Sequence, residues 1–302
     1  MAMSSGRDNE AKAARFMEDG EKCLTKWSLF GSSTKFEDAA ELFEKAGRLY
    51  KVARNMDAAA AAYERAAENF EKANSAHESA RSHVEAAKCK KEAGSSEAVD
   101  SYRKAIEIFN ESGRFQQAGK MLTEIGDIYK EEGNYSEAVE AWQEASDYLA
   151  SENSSSQANA CLVKVAAAVS KDMEPPQLGR AATIYERLGR SCMEKKLLQM
   201  NAKGYWLQAG LCLLAQGDTV GARQKLSDFT DADHTFEDSR EFRFFQNLIQ
   251  ASEDNDVEAL SQHCFEYDEI SKLDPWKTSM CLRIKRSIEA MADPDNEDID
   301  LR

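Results

Sequence analysis

The sequence predicts an all-α protein: a tetratricopeptide-like stack of antiparallel helical hairpins, a twisted helical sheet, with a C-terminal helical bundle. Three observations lead there. Proline is scarce, 4 in 302 residues, while Ala, Glu and Lys abound, so helix is favoured nearly throughout. A small–large–small triplet at i, i+4 and i+7 recurs, its central residues 18 to 23 positions apart. Helix breakers separate successive triplets.

The triplets run Ala39/Phe43/Ala46, Ala59/Tyr63/Ala66, Ala80/Val84/Ala87, Ala98/Tyr102/Ala105, Ala118/Leu122/Ile125, Ala138/Trp142/Ala145, Ala158/Leu162/Val165 and Ala181/Tyr185/Leu188. Weaker copies follow at Ala202/Trp206/Ala209 and Ala222/Leu226/Phe229. Positions i, i+4 and i+7 share one helix face. Alanine lets neighbouring backbones approach, and the large residue fills the groove between them. The breakers are "RN" before Met56, "AGSS" at 93–96, "ESGR" at 111–114 and "EEGN" at 131–134. Each unit is thus a helix of about 14 residues plus a turn, and two units make a hairpin of about forty. The pattern fades after about residue 215, and 240–289 reads as further helices with irregular spacing. The expected organisation is a hairpin-repeat domain at 1–215, a helical bundle at 216–289 and an acidic tail at 290–302.

Composition excludes several functions. No run of 18 uncharged apolar residues occurs, so no membrane-spanning helix is expected, and the N-terminus lacks a signal-peptide core. The net charge of -15 argues against nucleic-acid binding. Seven scattered cysteines without a C-x-x-C pair suggest neither a disulfide framework nor a zinc site, but small buried side chains at helix interfaces. A cytoplasmic location is the default expectation.

Signatures of catalysis are missing: no phosphate-binding glycine loop, no H-E-x-x-H and no G-x-S-x-G. His263 and Cys264 are adjacent, hence about 100° apart on a helix, and cannot readily share a metal. No enzyme activity, cofactor or metal is expected. Helical-hairpin stacks usually present a surface to a partner. Arg54, Lys91, Arg114, Lys120, Lys164, Lys203 and Arg240 lie near turns or away from the packing stripes, and together could track an acidic rod. The stretch "KWSLFGSST" at 26–34 packs Trp27, Leu29 and Phe30 into four residues beside a helix-breaking Gly-Ser-Ser, which a highly charged chain must either bury or use.

Several stretches closely resemble the soluble NSF attachment proteins, alpha type: "LFGSSTKFEDAAELFEKA" (29–46), "AIEIFNESGRFQQAGK" (105–120), "SSSQANACLVKVA" (154–166), "AKGYWLQAGLC" (202–212), "FEDSRE" (236–241) and "EYDEISKLDPWKTSMCLRIKRSI" (266–288), with the "DLR" ending. The resemblance runs from about residue 20 to the C-terminus. It implies an adaptor joining SNARE bundles to the hexameric AAA+ ATPase NSF. Family bases that grip the acidic SNARE bundle from the concave face match Arg54, Arg114, Lys120, Lys164, Lys203 and Arg240, and Lys91 more loosely. A further family lysine is Ala160 here. Family acids that meet NSF match Asp218, Glu253 and Asp254, while another is Gln250. The penultimate leucine needed to stimulate the ATPase is Leu301. The family's membrane-contacting loop matches Leu29, Phe30 and Gly31, with Trp27 in place of its preceding aromatics, which implies peripheral association with lipid. The rival readings are a general tetratricopeptide scaffold or co-chaperone, whose Lys/Asn carboxylate clamp is not found, and an all-helical enzyme with an unrecognised site.

Overall fold

A computed structural model describes residues 2–25 and 32–292, with the side chains of 6–25 and 33–290. Fourteen α-helices and no strand occur among the described residues. The chain divides into two compact units, Met1–Ala158 and Asn159–Arg302.

In the first unit the helices are α1 (Ala2–Thr25), α2 (Ser32–Val52), α3 (Met56–Lys72), α4 (Ala76–Glu92), α5 (Ala98–Glu111), α6 (Phe115–Glu131) and α7 (Tyr135–Ser151). Each packs on the next in sequence. Helix α1 lies outside the triplet pattern. All thirty triplet residues of the chain are buried, each large one contributing roughly 1.5–3 kcal/mol. The reason the large residues fit is visible on the preceding helix. Gly20 of α1 faces Phe43 of α2, and Gly126 of α6 faces Trp142 of α7; a methyl group at these glycines would stand 2.7 and 2.5 Å from the rings. The indole NH of Trp142 then donates to Asp127 at 3.0 Å.

The breakers work by backbone conformation. One left-handed residue closes each described turn from the end of α2 to the start of α8: Arg54, Asn74, Gly94, Gly113, Gly133 and Asn153, with φ from 56° to 79°. At Asn74 the flanking amides return to the ending helix, Asn74 N to Glu71 O at 2.9 Å and Ser75 N to Phe70 O at 2.8 Å. That satisfies carbonyls a helix end leaves open. Glycine and asparagine accept this conformation readily; arginine does not.

In the second unit, α8 (Ser155–Ala167) enters from the first and continues into a π-helical turn (Ala168–Asp172). There follow α9 (Leu178–Met193), α10 (Gln199–Ala215), α11 (Thr219–Ala232), a 3-10 turn (His234–Phe236), α12 (Arg240–Glu253), α13 (Val257–Ile270) and α14 (Pro275–Ala292). The expected irregular spacing beyond 240 is corrected: α11 to α14 begin 17 to 21 residues apart, much like the earlier helices. What changes is the packing. Helix α10 touches α9, α11, α12 and α14, so it is a central strut. Accordingly eight of its residues are buried, and from Trp206 to Leu214 they lie on several faces beside the Ala202/Trp206/Ala209 stripe. Its Trp206 stacks on Phe229 at 5.2 Å and meets Phe236 edge-on at 5.3 Å.

Candidate functional site

The expected basic contacts sit mostly at helix ends. Arg54 occupies the left-handed turn position between α2 and α3, a conformation costing about 1–2 kcal/mol in a residue with a Cβ. Its guanidinium reaches Glu92, at the end of α4, at 3.1 Å. Lys91, half-buried beside it in α4, pairs with Glu124 of α6 at 3.0 Å. Arg114 is the N-cap residue of α6 and Lys120 lies in the second turn of that helix. Among the described residues neither has an acidic partner. Because the hairpins alternate direction, Arg54 and Lys91 lie toward one edge of the first unit, Arg114 and Lys120 toward the opposite edge.

In the second unit, Lys164 is half-buried on α8. The ammonium of Lys203 on α10 donates to the carbonyl of Thr235 at 2.7 Å, which fixes it against the 3-10 turn. Arg240 is the first residue of α12, exposed, after the Ser239 cap whose hydroxyl accepts from Phe242 N at 3.1 Å. Arg114 and Arg240 thus place cations at positive helix N-termini, where an anion would be the stabilising charge. Together with Arg54 these are positions that folding alone does not favour. Ala160 is exposed.

The three expected acidic contacts converge. Asp218 caps α11, its carboxylate accepting from Gly221 N at 2.8 Å. Glu253 ends α12 and holds Arg223 of α11 through two bonds, one of them Arg223 Nε to Oε1 at 2.7 Å. The Arg223 hydrogen bond keeps the Glu253 carboxyl below the usual carboxylate range. Asp254 follows, accepting from Gln250 Nε2 at 2.9 Å. The turns bearing these residues border one cavity of about 280 Å³, lined by Leu214, Gly217, Thr219 and Glu253 and by Ile284 and Ile288 of α14. Ile288 is one turn from the end of α14, so that helix ends at this edge. Trp27, Leu29, Phe30 and Leu301 lie outside the described residues.

Two features escaped sequence reasoning: the Arg223 partner of Glu253 and the capping bond of Asp218. The first depends on helix pairing. The second was open to detection, since Asp directly before "TVGARQKL" is an N-cap signal. Among the described residues no group of His, Cys, Asp and Glu is arranged to hold a metal ion, and no helix is long and apolar enough to cross a membrane.

Helical hairpins whose charged side chains gather at their turns define a repeat protein that works by docking onto other macromolecules. The chain belongs to the soluble NSF attachment protein family: the family model described as "Soluble NSF attachment protein, SNAP" matches residues 11–289. It is 34% identical over 283 residues to the alpha-soluble NSF attachment protein of Vitis vinifera, spanning 94% of this chain and 96% of that one. The Dictyostelium discoideum protein of the same name is 37% identical over 192 residues, 64% of this chain and 65% of its own. That of Saccharomyces cerevisiae is 36% identical over 200 residues, 66% of this chain and 68% of its own.

Proposed function

We propose that this chain is a non-enzymatic adaptor that grips assembled SNARE bundles, recruits NSF and stimulates it to take the bundles apart during vesicle fusion and membrane traffic. Membership of the family supports the role, and the observation that carries the division of labour is the gathering of Asp218, Glu253 and Asp254 beside the end of α14. In this reading Arg54, Lys91, Arg114, Lys120, Lys164, Lys203 and Arg240 contact the acidic SNARE surface. Arg114, Lys120 and Arg240 make no ion pair with another described residue, so they can meet a partner without first breaking one. Lys91 and Arg54 must exchange Glu124 and Glu92 for SNARE acids.

The helices from residue 216 act as the NSF-docking part, and the tail from 290 as an activating leash. Its acids suit a basic surface, and Leu301 supplies an apolar contact once docking has brought it near. Trp27, Leu29 and Phe30 touch lipid and hold the adaptor peripherally at the cytoplasmic membrane face. The test is reconstitution with an assembled SNARE bundle and NSF. Leu301→Ala is expected to leave SNARE binding and NSF recruitment intact while slowing stimulated ATP hydrolysis and disassembly. Disassembly at the unaltered rate would refute the activating role; failure to bind SNARE bundles by the unaltered chain would refute the adaptor reading itself.

A further inference from the structure

Helix α6 packs against both α5 and α7, and the three border a cavity of about 300 Å³ that none of the contacts described above uses. Its floor is apolar. Leu122, Ile125 and Tyr129 stand at i, i+3 and i+7 on one face of α6, with Ile106 of α5 and Ala141 of α7 beside them. Its rim is acidic. Glu107 comes from α5, and Glu137, Glu140 and Glu144 run at i, i+3 and i+7 along α7. All four glutamates are exposed, and among the described residues none of them makes an ion pair. Arg103, the base that lines the cavity, lies four residues before Glu107 yet donates instead to the Tyr129 hydroxyl at 3.3 Å.

Folding alone does not favour this rim. Glu140 and Glu144 are like charges at i and i+4, which repel on a helix. Other glutamates of the same unit are compensated across helices: Glu85 by Lys51, Glu64 by Lys90 and Glu124 by Lys91.

We propose that this groove docks a basic amphipathic helix of another protein, with lysines or arginines on the rim glutamates and an apolar side chain in the cavity. Charge sets the class of partner. Four carboxylates and one guanidinium leave the groove three negative charges, which attract a basic segment and repel an acidic SNARE bundle. Size sets its form. Pockets that enclose a whole small molecule run from about 300 to 1,000 Å³, so this one suits one or two side chains of a larger partner. Among the described residues no acids are arranged to hold a metal ion, so the compensating charge comes from side chains. Spacing sets the register. The three glutamates of α7 cover two turns, about 10 Å, and a facing helix with bases at the same three- and four-residue steps meets each of them. Lys120 lies on the side of α6 opposite the floor residues, so the expected SNARE contact and this groove do not share a face.

The test is fluorescence anisotropy of the full-length chain with a labelled synthetic helix that carries lysines at i, i+3 and i+7 and a leucine at i+4. Saturable binding is expected. Glu140→Gln with Glu144→Gln should weaken it at least about fourfold, since each exposed pair is worth about a factor of two to five. Glu71→Gln with Glu152→Gln removes the same charge from exposed positions elsewhere and should change it less than about twofold. All four substitutions are at exposed positions, and circular dichroism checks that both variants keep their helices. A peptide with serine for the leucine should bind more weakly, and a photoreactive residue at the leucine position should label the cavity-lining segments of α5, α6 or α7. No saturable binding, equal losses in the two double variants, indifference to the leucine, labelling confined to other helices, or spermine binding as tightly as the peptide would each overturn the proposal.

Discussion

Substituting Asp218 by Asn, Ala and Lys separates the two roles placed on that carboxylate. Its Oδ1 accepts from Gly221 N at 2.8 Å at the start of α11, and loss of an N-cap side chain costs about 1 kcal/mol. An exposed negative charge at a helix N-terminus adds about 0.3–0.5 kcal/mol. Asp218→Asn keeps the cap and removes the charge, so urea unfolding should register a loss of under about 0.5 kcal/mol. Asp218→Ala loses both, about 1.5 kcal/mol, and Asp218→Lys somewhat more because a cation then faces the helix N-terminus. Docking should follow a different order. One exposed charge pair is worth about 0.5–1 kcal/mol, a two- to fivefold weakening of NSF recruitment. Asn and Ala should therefore weaken recruitment alike, though they differ in stability, and Lys should weaken it further through repulsion. Two results would refute this reasoning: equal destabilisation by Asn and Ala, or recruitment by Asp218→Asn indistinguishable from that of the unaltered chain.

Lys120→Glu combined with Lys164→Glu should nearly abolish SNARE binding although each single change is mild, and binding by the unaltered chain should fall steeply with salt; a pull-down across a salt series checks both. His83, 6% exposed, is held neutral by burial, which lowers its pKa from 6.5 to about 4. As pH falls through that window the unfolded chain takes up a proton the folded one refuses, so stability is lost by roughly 3 kcal/mol at most. His83→Gln should flatten the dependence of urea stability on pH between 7 and 4, and an unchanged slope would rule His83 out as its source. Replacing Trp27, Leu29 and Phe30 with Ser should abolish liposome flotation while SNARE binding in solution persists; undiminished flotation would show that lipid is held elsewhere.

The helices and their buried faces were legible in the sequence because they rest on local rules. A triplet at i, i+4 and i+7 must share a face wherever the helix lies, and all ten triplets are buried. Asn74, Gly94, Gly113, Gly133 and Asn153 mark turns because few other residues accept positive φ. Arg54 breaks that rule, and only the backbone reveals it. The charged types at the candidate sites were equally legible, and the resemblance of motifs ordered them into roles. Their state was not. That Lys91 is paired with Glu124, Glu253 with Arg223, and Lys203 with the Thr235 carbonyl depends on which helices become neighbours and in what register. Those residues stand 30 to 33 positions apart, beyond the reach of any helical period. The same holds for α10, whose contacts with α12 and α14 skip over intervening helices. Periodicity dictates which face of a helix is buried; only the packing of one helix against another decides what that face meets.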